Sequence, residues 1–143
     1  MTTRDFSLVM GSVLFVCVEN TFRSVMAEAI FNANAPPGWK AESAGVRPAT
    51  EINPVAVELL REIGIEVGSK TPRLVTPEMV SSAWRVVTLR CMDSCPIGAA
   101  DKGEDWPLHG ATGKTMDELR GIRDEIRRRV VLLIEQTSRA TTP

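Results

Sequence analysis

Residues Val13 to Ser24 read VLFVCVENTFRS, and the rest of the chain can be understood outward from this stretch. Val13 to Val16 are a continuous run of β-branched, aliphatic and aromatic residues, which is typical of a strand in a parallel sheet that is covered on both faces. Cys17 follows directly, Arg23 comes six residues later, and a helix-favouring run begins at Val25. The stretch therefore predicts a strand, a short loop and the N-terminus of a helix.

A loop between a strand and a helix N-terminus is suited to binding an anion. Its backbone N–H groups can point inward, the helix dipole adds positive potential, and the planar guanidinium of Arg23 can hold two oxygens at once. The same potential favours the thiolate form of Cys17. We therefore expect a sulfur nucleophile beneath a tetrahedral oxyanion such as phosphate or sulfate. The residues expected to bind that oxyanion are Val18, Glu19, Asn20, Thr21, Phe22 and Arg23.

Two further side chains of the stretch have expected roles. Asn20 tolerates left-handed backbone geometry and can tie the loop with its amide. Ser24 is expected to cap the helix and to hydrogen-bond the Cys17 thiolate. Taken alone, Cys17 could be a small buried residue and Arg23 a surface residue paired with Glu28. The spacing of the two residues and the helix start favour the nucleophile and the anion clamp instead.

The motif C-x5-R-S, with Asn20 inside it and MAEA after it, resembles the low-molecular-weight protein tyrosine phosphatase family. The resemblance implies an α/β fold, a three-layer sandwich with a four-stranded parallel sheet and helices on both faces. We expect residues 1–11 to be a flexible tail and 12–137 a single domain. The resemblance extends to about Glu135 through four further blocks, Ser43–Gly45, Ile52–Pro54, Val86–Leu89 and Arg123–Ile126.

A second pair of thiols lies in CMDSCPI, Cys91 to Ile97, which resembles the thioredoxin-coupled arsenate reductase branch of that family. The resemblance implies that Cys17 attacks arsenate, that Cys91 attacks the adduct to give a Cys17–Cys91 disulfide and arsenite, and that Cys95 resolves it. Thioredoxin or a similar dithiol would reduce the resulting Cys91–Cys95 disulfide. From the residues alone, the spacing permits such a disulfide. Zinc held by both thiols and His109 is the alternative, and it lacks a fourth ligand; we expect neither metal nor cofactor.

The late loop lacks an acid that phosphatases of this family possess. Their Asp-Pro pair, which protonates the leaving alcohol, corresponds to Gly110–Ala111 here, and losing a positioned acid costs about 10²–10⁴-fold in rate. His109, Asp105 or Glu104 could substitute only after a shift of the loop. Arsenate reduction is therefore the preferred prediction, and hydrolysis of phosphomonoesters through a Cys17 phosphoenzyme is the alternative. A non-catalytic oxyanion-binding or redox-sensing protein is the third hypothesis.

Three residues depart from common family forms. Glu19 must point outward or pair with a cation, because a carboxylate inside the loop would repel an oxyanion. Phe22 is expected to wall the loop entrance. Arg73 stands in a region where some reductases of the family carry an Asp associated with a monovalent cation, which argues against that accessory ion here.

Composition narrows the remaining function classes. The chain has 143 residues, 43% hydrophobic content, a net charge of −1 and no tyrosine, so it can bury one core and offers no basic or stacking surface for nucleic acid. Three cysteines without framework spacing favour a reducing compartment, and we expect the cytoplasm. The apolar run from Leu8 to Val18 is too short to cross a membrane and lacks a signal-peptide cleavage site.

The remaining elements follow from caps and periodicity. Asn53 and Thr76, each before a proline, predict helix starts, and Gly64 predicts a helix end. Thr115 and Glu118 have capping-box spacing before a periodic apolar face. Arg120, Arg127 and Arg128 on the other side are expected to be solvated.

The predicted helices are Ser24–Asn34, Val55–Ile63, Pro77–Ser82 and one from Thr115. The predicted strands after the first are Trp39–Ser43 and Trp84–Leu89, with a brief extended piece at Ile65–Val67 and a long loop at Arg90–Gly113.

Overall fold

The computed structural model describes residues 11–89, 102–108 and 110–141. The structure has four strands: β1 (Gly11–Cys17), β2 (Trp39–Gly45), β3 (Arg85–Thr88) and β4 (Gly103–Asp105). They form one parallel sheet in the spatial order β2-β1-β3-β4. Their carboxyl ends share one edge, where Cys17 ends β1 and lies opposite Gly45 at the end of β2.

Both faces of the sheet are covered, as the continuous apolar run of β1 predicted. The helices are α1 (Arg23–Asn34), α2 (Pro54–Arg61), α3 (Pro77–Ser82) and α4 (Met116–Thr141). Val13 and Phe15 belong to the larger core cluster, which includes residues of α1, α2 and α4. Leu14 and Val16 point to the opposite face and belong to a smaller cluster with Val80 of α3. The expected three-layer α/β sandwich is therefore confirmed.

The predicted helix caps are present as side-chain hydrogen bonds. Asn53 Oδ1 accepts from the N–H of Val55 at 2.9 Å, and Thr76 caps α3 in the same way. At the start of α4, the Thr115 N–H donates to Glu118 Oε1 at 2.8 Å while the Glu118 N–H donates to Thr115 Oγ1 at 3.2 Å, so both arms of the capping box form. Gly64 ends the turn after α2 with φ 83°.

Several boundaries differ from the prediction. Gly11, assigned to the tail, is already the first residue of β1 and pairs with Trp39. Ile65–Val67 is not a strand, and the fourth strand is β4, inside the segment predicted to be loop. All three of its residues are exposed, so it carries no apolar signal. Helix α4 continues to Thr141, beyond the expected end of the domain.

An ion-pair cluster joins α2 to α4, and it corrects the expected solvated arginine face. Arg120 donates to Glu62 Oε2 at 3.0 Å, so it bridges two helices instead of facing only water. Arg123 is 7% exposed and donates to Glu62 Oε1 at 2.7 Å and to the Leu59 carbonyl at 3.1 Å. Two hydrogen bonds lower the pKa of the Glu62 carboxyl group: the one from Arg120 has the larger effect, and the one from Arg123 the smaller. Arg127 and Arg128 are exposed, as predicted.

The predictions for residues 1–10, Cys91, Cys95 and His109 lie outside the described residues. Among the helices that the structure describes, none has the length and apolarity needed to cross a bilayer. The described ranges also contain no group of three His, Cys, Asp or Glu side chains placed to hold a metal ion. The zinc alternative drew on Cys91, Cys95 and His109, so it is not tested here.

Candidate active site

The anion loop, Cys17 to Arg23, is held in shape through its carbonyl groups. The segment that follows β2 donates three N–H groups to them: Val46 to Cys17 at 3.2 Å, Arg47 to Val18 at 2.8 Å and Ala49 to Glu19 at 3.1 Å. The Asn53 N–H, at the start of α2, donates to the Thr21 carbonyl at 2.9 Å. With its carbonyls tied to a neighbouring segment, the loop keeps its N–H groups available for an anion.

Gly45 makes this close approach of two backbones possible. A Cβ atom at this position would lie 2.6 Å from the Val18 carbonyl oxygen and 2.9 Å from the Asn20 nitrogen. Gly45 cannot easily move away, because its N–H donates to the Arg73 carbonyl at 2.9 Å and its carbonyl accepts from the Val75 N–H at 3.0 Å. The position therefore requires glycine for space.

Cys17 lies beneath the loop and touches Ser24. The sulfur is 2.9 Å from Ser24 Oγ, and Cys17 itself is 2% exposed. Ser24 is fully buried in the first turn of α1, and the N-cap residue of this helix is Phe22, whose side chain makes no cap hydrogen bond. The prediction that Ser24 caps the helix is therefore wrong, while the predicted contact with the sulfur is present. Its hydroxyl can donate to a thiolate in this position.

Asn20 ties the loop from inside. It is fully buried and has φ 57°, the left-handed geometry that its position predicted. Its Nδ2 donates to Ser24 Oγ at 2.8 Å and to Ser43 Oγ at 3.0 Å, and its Oδ1 accepts from the Arg73 N–H at 3.0 Å. Because a backbone N–H can only donate, the Arg73 contact fixes which end of the amide is oxygen.

Arg23 faces the late loop. Its Nη1 donates to the Leu108 carbonyl at 3.1 Å, and a Cβ added to Gly110 would lie 3.7 Å from its Cζ. It does not pair with Glu28, which instead binds Lys70. The bond to Leu108 uses one guanidinium N–H group, and others can donate to an oxyanion.

The two described carboxylates considered as substitute acids are engaged elsewhere. Glu104 Oε2 accepts from the indole N–H of Trp106 at 2.9 Å, and Asp105 Oδ1 accepts from the Thr88 hydroxyl at 2.7 Å. Gly110, in the position expected for the family's acid, has no side chain to donate a proton. His109, the third candidate, is outside the described residues.

The side chains of two further loop residues, Glu19 and Phe22, lie in opposite surroundings: one in solvent and one in the core. Glu19 is exposed, which meets the expectation that it points outward. Phe22 is 4% exposed and packs in the main core, so the prediction that it walls the entrance is wrong. Sequence reasoning gave no role to Ser43, Gly45 or the Arg73 N–H, although the Ser43–Gly45 block had been noted as part of the family resemblance. The roles of these three depend on contacts across more than 20 residues of chain.

The sequence also matches a family model. Residues 12–101 match the model for low molecular weight phosphotyrosine protein phosphatase. The chain belongs to this family. Within it, the chain is 33% identical over 120 residues to an arsenate reductase of Staphylococcus aureus, a match covering 81% of this chain and 90% of that protein.

Two solved structures of similar proteins extend the comparison. An arsenate reductase from Archaeoglobus fulgidus superposes with a TM-score of 0.72 at 38% identity, covering 86% of this chain and 98% of that one. A thioredoxin-dependent arsenate reductase from Corynebacterium glutamicum gives a TM-score of 0.80 at 32% identity. That match covers 94% of this chain, which spans only 65% of the length of the C. glutamicum chain.

Proposed function

We propose that this chain reduces arsenate to arsenite, with Cys17 as the nucleophile and Cys91 and Cys95 as the disulfide pair that carries the oxidation away. The observation that carries the proposal is the contact of Cys17 Sγ with Ser24 Oγ at 2.9 Å beneath a loop whose carbonyls are tied outward. A buried sulfur with a hydroxyl donor and an amide-lined anion site above it has what a thiolate nucleophile needs.

In the first step, arsenate is held by the N–H groups of Val18 to Phe22 and by Arg23. The Cys17 thiolate forms a sulfur–arsenic bond, and one arsenate oxygen leaves as water after taking up protons. The charge of the oxyanion is met by backbone dipoles and the Arg23 guanidinium.

In the second step, the Cys91 thiolate attacks Cys17 Sγ. A Cys17–Cys91 disulfide forms, the sulfur–arsenic bond breaks, and its electron pair stays on arsenic, which leaves as arsenite. Cys95 then attacks Cys91, which releases the Cys17 thiolate and leaves a Cys91–Cys95 disulfide. A dithiol protein reduces that disulfide by exchange; the C. glutamicum relative is described as thioredoxin-dependent, and we propose the same reductant here, in the cytoplasm.

The chain path supports the participation of Cys91. The Leu89 N–H donates to the Val16 carbonyl at 2.7 Å, so the chain leaves the described range beside the residue before Cys17. Cys91 is only two positions after Leu89, a reach of about 7 Å when fully extended.

The test is arsenate-dependent thiol oxidation followed by intact mass, with the disulfides mapped by peptide analysis. The wild-type protein should lose two hydrogens and form Cys91–Cys95. Cys95→Ser should stop at Cys17–Cys91, and Cys91→Ser should abolish turnover with thioredoxin. Unchanged turnover in either variant would reject the proposed disulfide pair. Cys17→Ser is the matched control, because it removes the nucleophile and keeps the other two thiols.

Phosphatase activity through a Cys17 phosphoenzyme is the second candidate, because the same loop would accept phosphate. Gly110 beside Arg23 disfavours it, since glycine has no proton to give to a leaving alcohol, and Glu104 and Asp105 are hydrogen-bonded to Trp106 and Thr88. Turnover of p-nitrophenyl phosphate that is insensitive to loss of Cys91 and Cys95 would favour the phosphatase. Oxyanion binding without turnover or thiol oxidation would favour the non-catalytic hypothesis.

A further inference from the structure

A continuous series of polar contacts leads from the nucleophile to a lysine in the segment between α2 and α3. Each contact is short enough for a hydrogen bond or an ion pair. The distances are 2.9 Å from Cys17 to Ser24, 2.8 Å from Ser24 to Asn20, 3.0 Å from Asn20 to Ser43, 2.6 Å from Ser43 to Glu28 and 2.9 Å from Glu28 to Lys70. We call Ser24, Asn20, Ser43, Glu28 and Lys70 the polar chain.

The hydrogen bonds of the polar chain diverge from Asn20, whose Nδ2 donates to Ser43 on one side and to Ser24 on the other. The Glu28 carboxylate only accepts, so the Ser43 hydroxyl donates to it. Ser43 Oγ in turn accepts from Asn20 Nδ2, whose orientation is fixed by the Arg73 N–H on Oδ1. Ser24 Oγ accepts the other Asn20 proton. Within the described residues, the acceptor left for the Ser24 proton is the Cys17 sulfur.

Lys70 holds the Glu28 carboxylate at the end of the polar chain farthest from Cys17. Its Nζ and the Ser43 hydroxyl bind the same oxygen, Glu28 Oε1. The side chains of Glu28 and Lys70 are only 12% and 19% exposed, so the pair is screened less than a surface ion pair. Without the ammonium group, the Glu28 side chain could rotate toward solvent, and the Ser43 oxygen would be held less firmly as the acceptor for Asn20 Nδ2.

We propose that Lys70 is a positioning residue for Cys17: through Glu28 and Ser43 it holds Asn20 where Nδ2 donates to Ser24 Oγ, which leaves the Ser24 proton for the sulfur. The inference rests on the proposed use of Cys17 as the nucleophile and adds a residue, outside the anion loop, that sets how reactive the sulfur is. Lys70 touches neither the sulfur nor the substrate site, so its effect passes through four intervening side chains.

A cavity beside the ion pair makes the proposal open to chemical rescue. It has a volume of about 410 Å³, and its lining includes Glu28, Asn32 and Lys70. Asn32 is already paired, since its side chain bonds both the N–H and the carbonyl of Ala41. A small amine entering this cavity could therefore take the place of the missing ammonium group when Lys70 is shortened.

The test measures the rate of iodoacetamide alkylation of Cys17 against pH in a Cys91→Ser/Cys95→Ser background, where Cys17 is the single thiol. In Lys70→Met, the midpoint of the profile should move to higher pH by roughly 0.5–1 unit. A shift of this size corresponds to partial loss of the hydrogen bond from the Ser24 hydroxyl to the charged sulfur. Lys70→Arg should restore the wild-type midpoint. Lys70→Ala should move as Lys70→Met does and return on addition of propylamine.

Two comparisons separate positioning from folding. Lys40→Met is the matched control, because it removes a lysine whose partner, Glu42, is 3.8 Å away and whose own side chain is 55% exposed; its midpoint should not move. Glu28→Gln keeps the shape but can reverse the hydrogen bond to Ser43, so its shift should not add to that of Lys70→Met. The melting temperature of each variant is measured alongside.

The charged groups near the polar chain are the same in every variant except at the mutated position. Arg73, whose Nε donates to the Ser43 carbonyl at 3.0 Å, faces the polar chain from the segment before α3, and Arg23 and Glu19 belong to the loop itself. His109 lies outside the described residues and is retained throughout. A shift found only in the Lys70 and Glu28 variants is therefore assigned to their contact.

An unchanged midpoint in Lys70→Met, with a shifted one in Ser24→Ala, would overturn the proposal and leave the proposed function intact. A shifted midpoint that propylamine and Lys70→Arg both fail to restore would also overturn it, because the effect would then be structural. Failure of arsenate to oxidise the wild-type thiols would instead reject the proposed function, whatever the alkylation profiles show.

Discussion

Gly45→Ala should damage the anion loop without changing any residue of the loop itself. The added methyl group would lie 2.6 Å from the Val18 carbonyl oxygen, 2.9 Å from the Asn20 nitrogen and 3.0 Å from the Glu19 carbonyl carbon. All three are backbone atoms, so no side chain can rotate to relieve the overlap. The loop must move away from β2 or the segment 73–75 must shift.

The size of the effect follows from these contacts. Overpacking of this kind costs about 1–3 kcal/mol, which lowers the melting temperature by roughly 3–10 °C for a chain of this length. Displacing the loop should also weaken at least one N–H contact to the bound oxyanion, a loss of about 10–100-fold in affinity.

The assay is phosphate or arsenate binding by calorimetry, with thermal unfolding measured on the same samples. Gly121→Ala is the matched control, because this glycine is exposed on α4 with no atom within 4 Å of an added Cβ, and alanine should stabilise the helix by up to about 1 kcal/mol. Wild-type oxyanion affinity in Gly45→Ala would show that the loop does not depend on the close approach described here.

Three further predictions test other parts of the structure. Ser24→Ala removes the hydroxyl that faces the sulfur, and Cys17 alkylation at neutral pH should slow by about tenfold, whereas an unaltered rate would exclude a role for that hydroxyl. Thr115→Ala breaks the capping box of α4 and should cost about 1 kcal/mol in urea unfolding, while Thr112→Ala, in the exposed turn before it, should cost little. Hydrogen bonds from Arg128 and Arg129 lower the pKa of Glu125 to about 2, so this contribution to the free energy of unfolding is present above pH 4.5 and is lost as the pH falls toward 2. Glu125→Gln should flatten the pH dependence of stability in that window, and identical acid unfolding curves would contradict the assignment.

Local signals in the sequence were sufficient for most of the helices and for the central strand. The caps at Asn53, Thr76 and Thr115 depend on contacts two or three residues apart, so they could be predicted without tertiary information. The continuous apolar run of β1 likewise carried its own evidence for a doubly covered strand.

The strand β4 and the supports of the loop could not be predicted in the same way. Gly103–Asp105 is a strand because β3 pairs with it, not because of its own residues, all of which are exposed. The role of Gly45 depends on the backbone of residues 18–20, and that of Lys70 on a glutamate 42 positions earlier in the chain. Phe22 was misplaced because loop membership says nothing about which side of the loop a side chain occupies.

The backbone hydrogen bonds that hold the anion loop determine which of its positions tolerate substitution. Because main-chain bonds from residues 46–53 hold the carbonyls of Cys17, Val18, Glu19 and Thr21, the identity of the side chains at 18, 19 and 21 is largely uncoupled from the shape of the cradle. Glu19 can therefore occupy its exposed position without disturbing the shape of the loop. Saturation mutagenesis should find these three positions permissive and positions 20 and 45 intolerant.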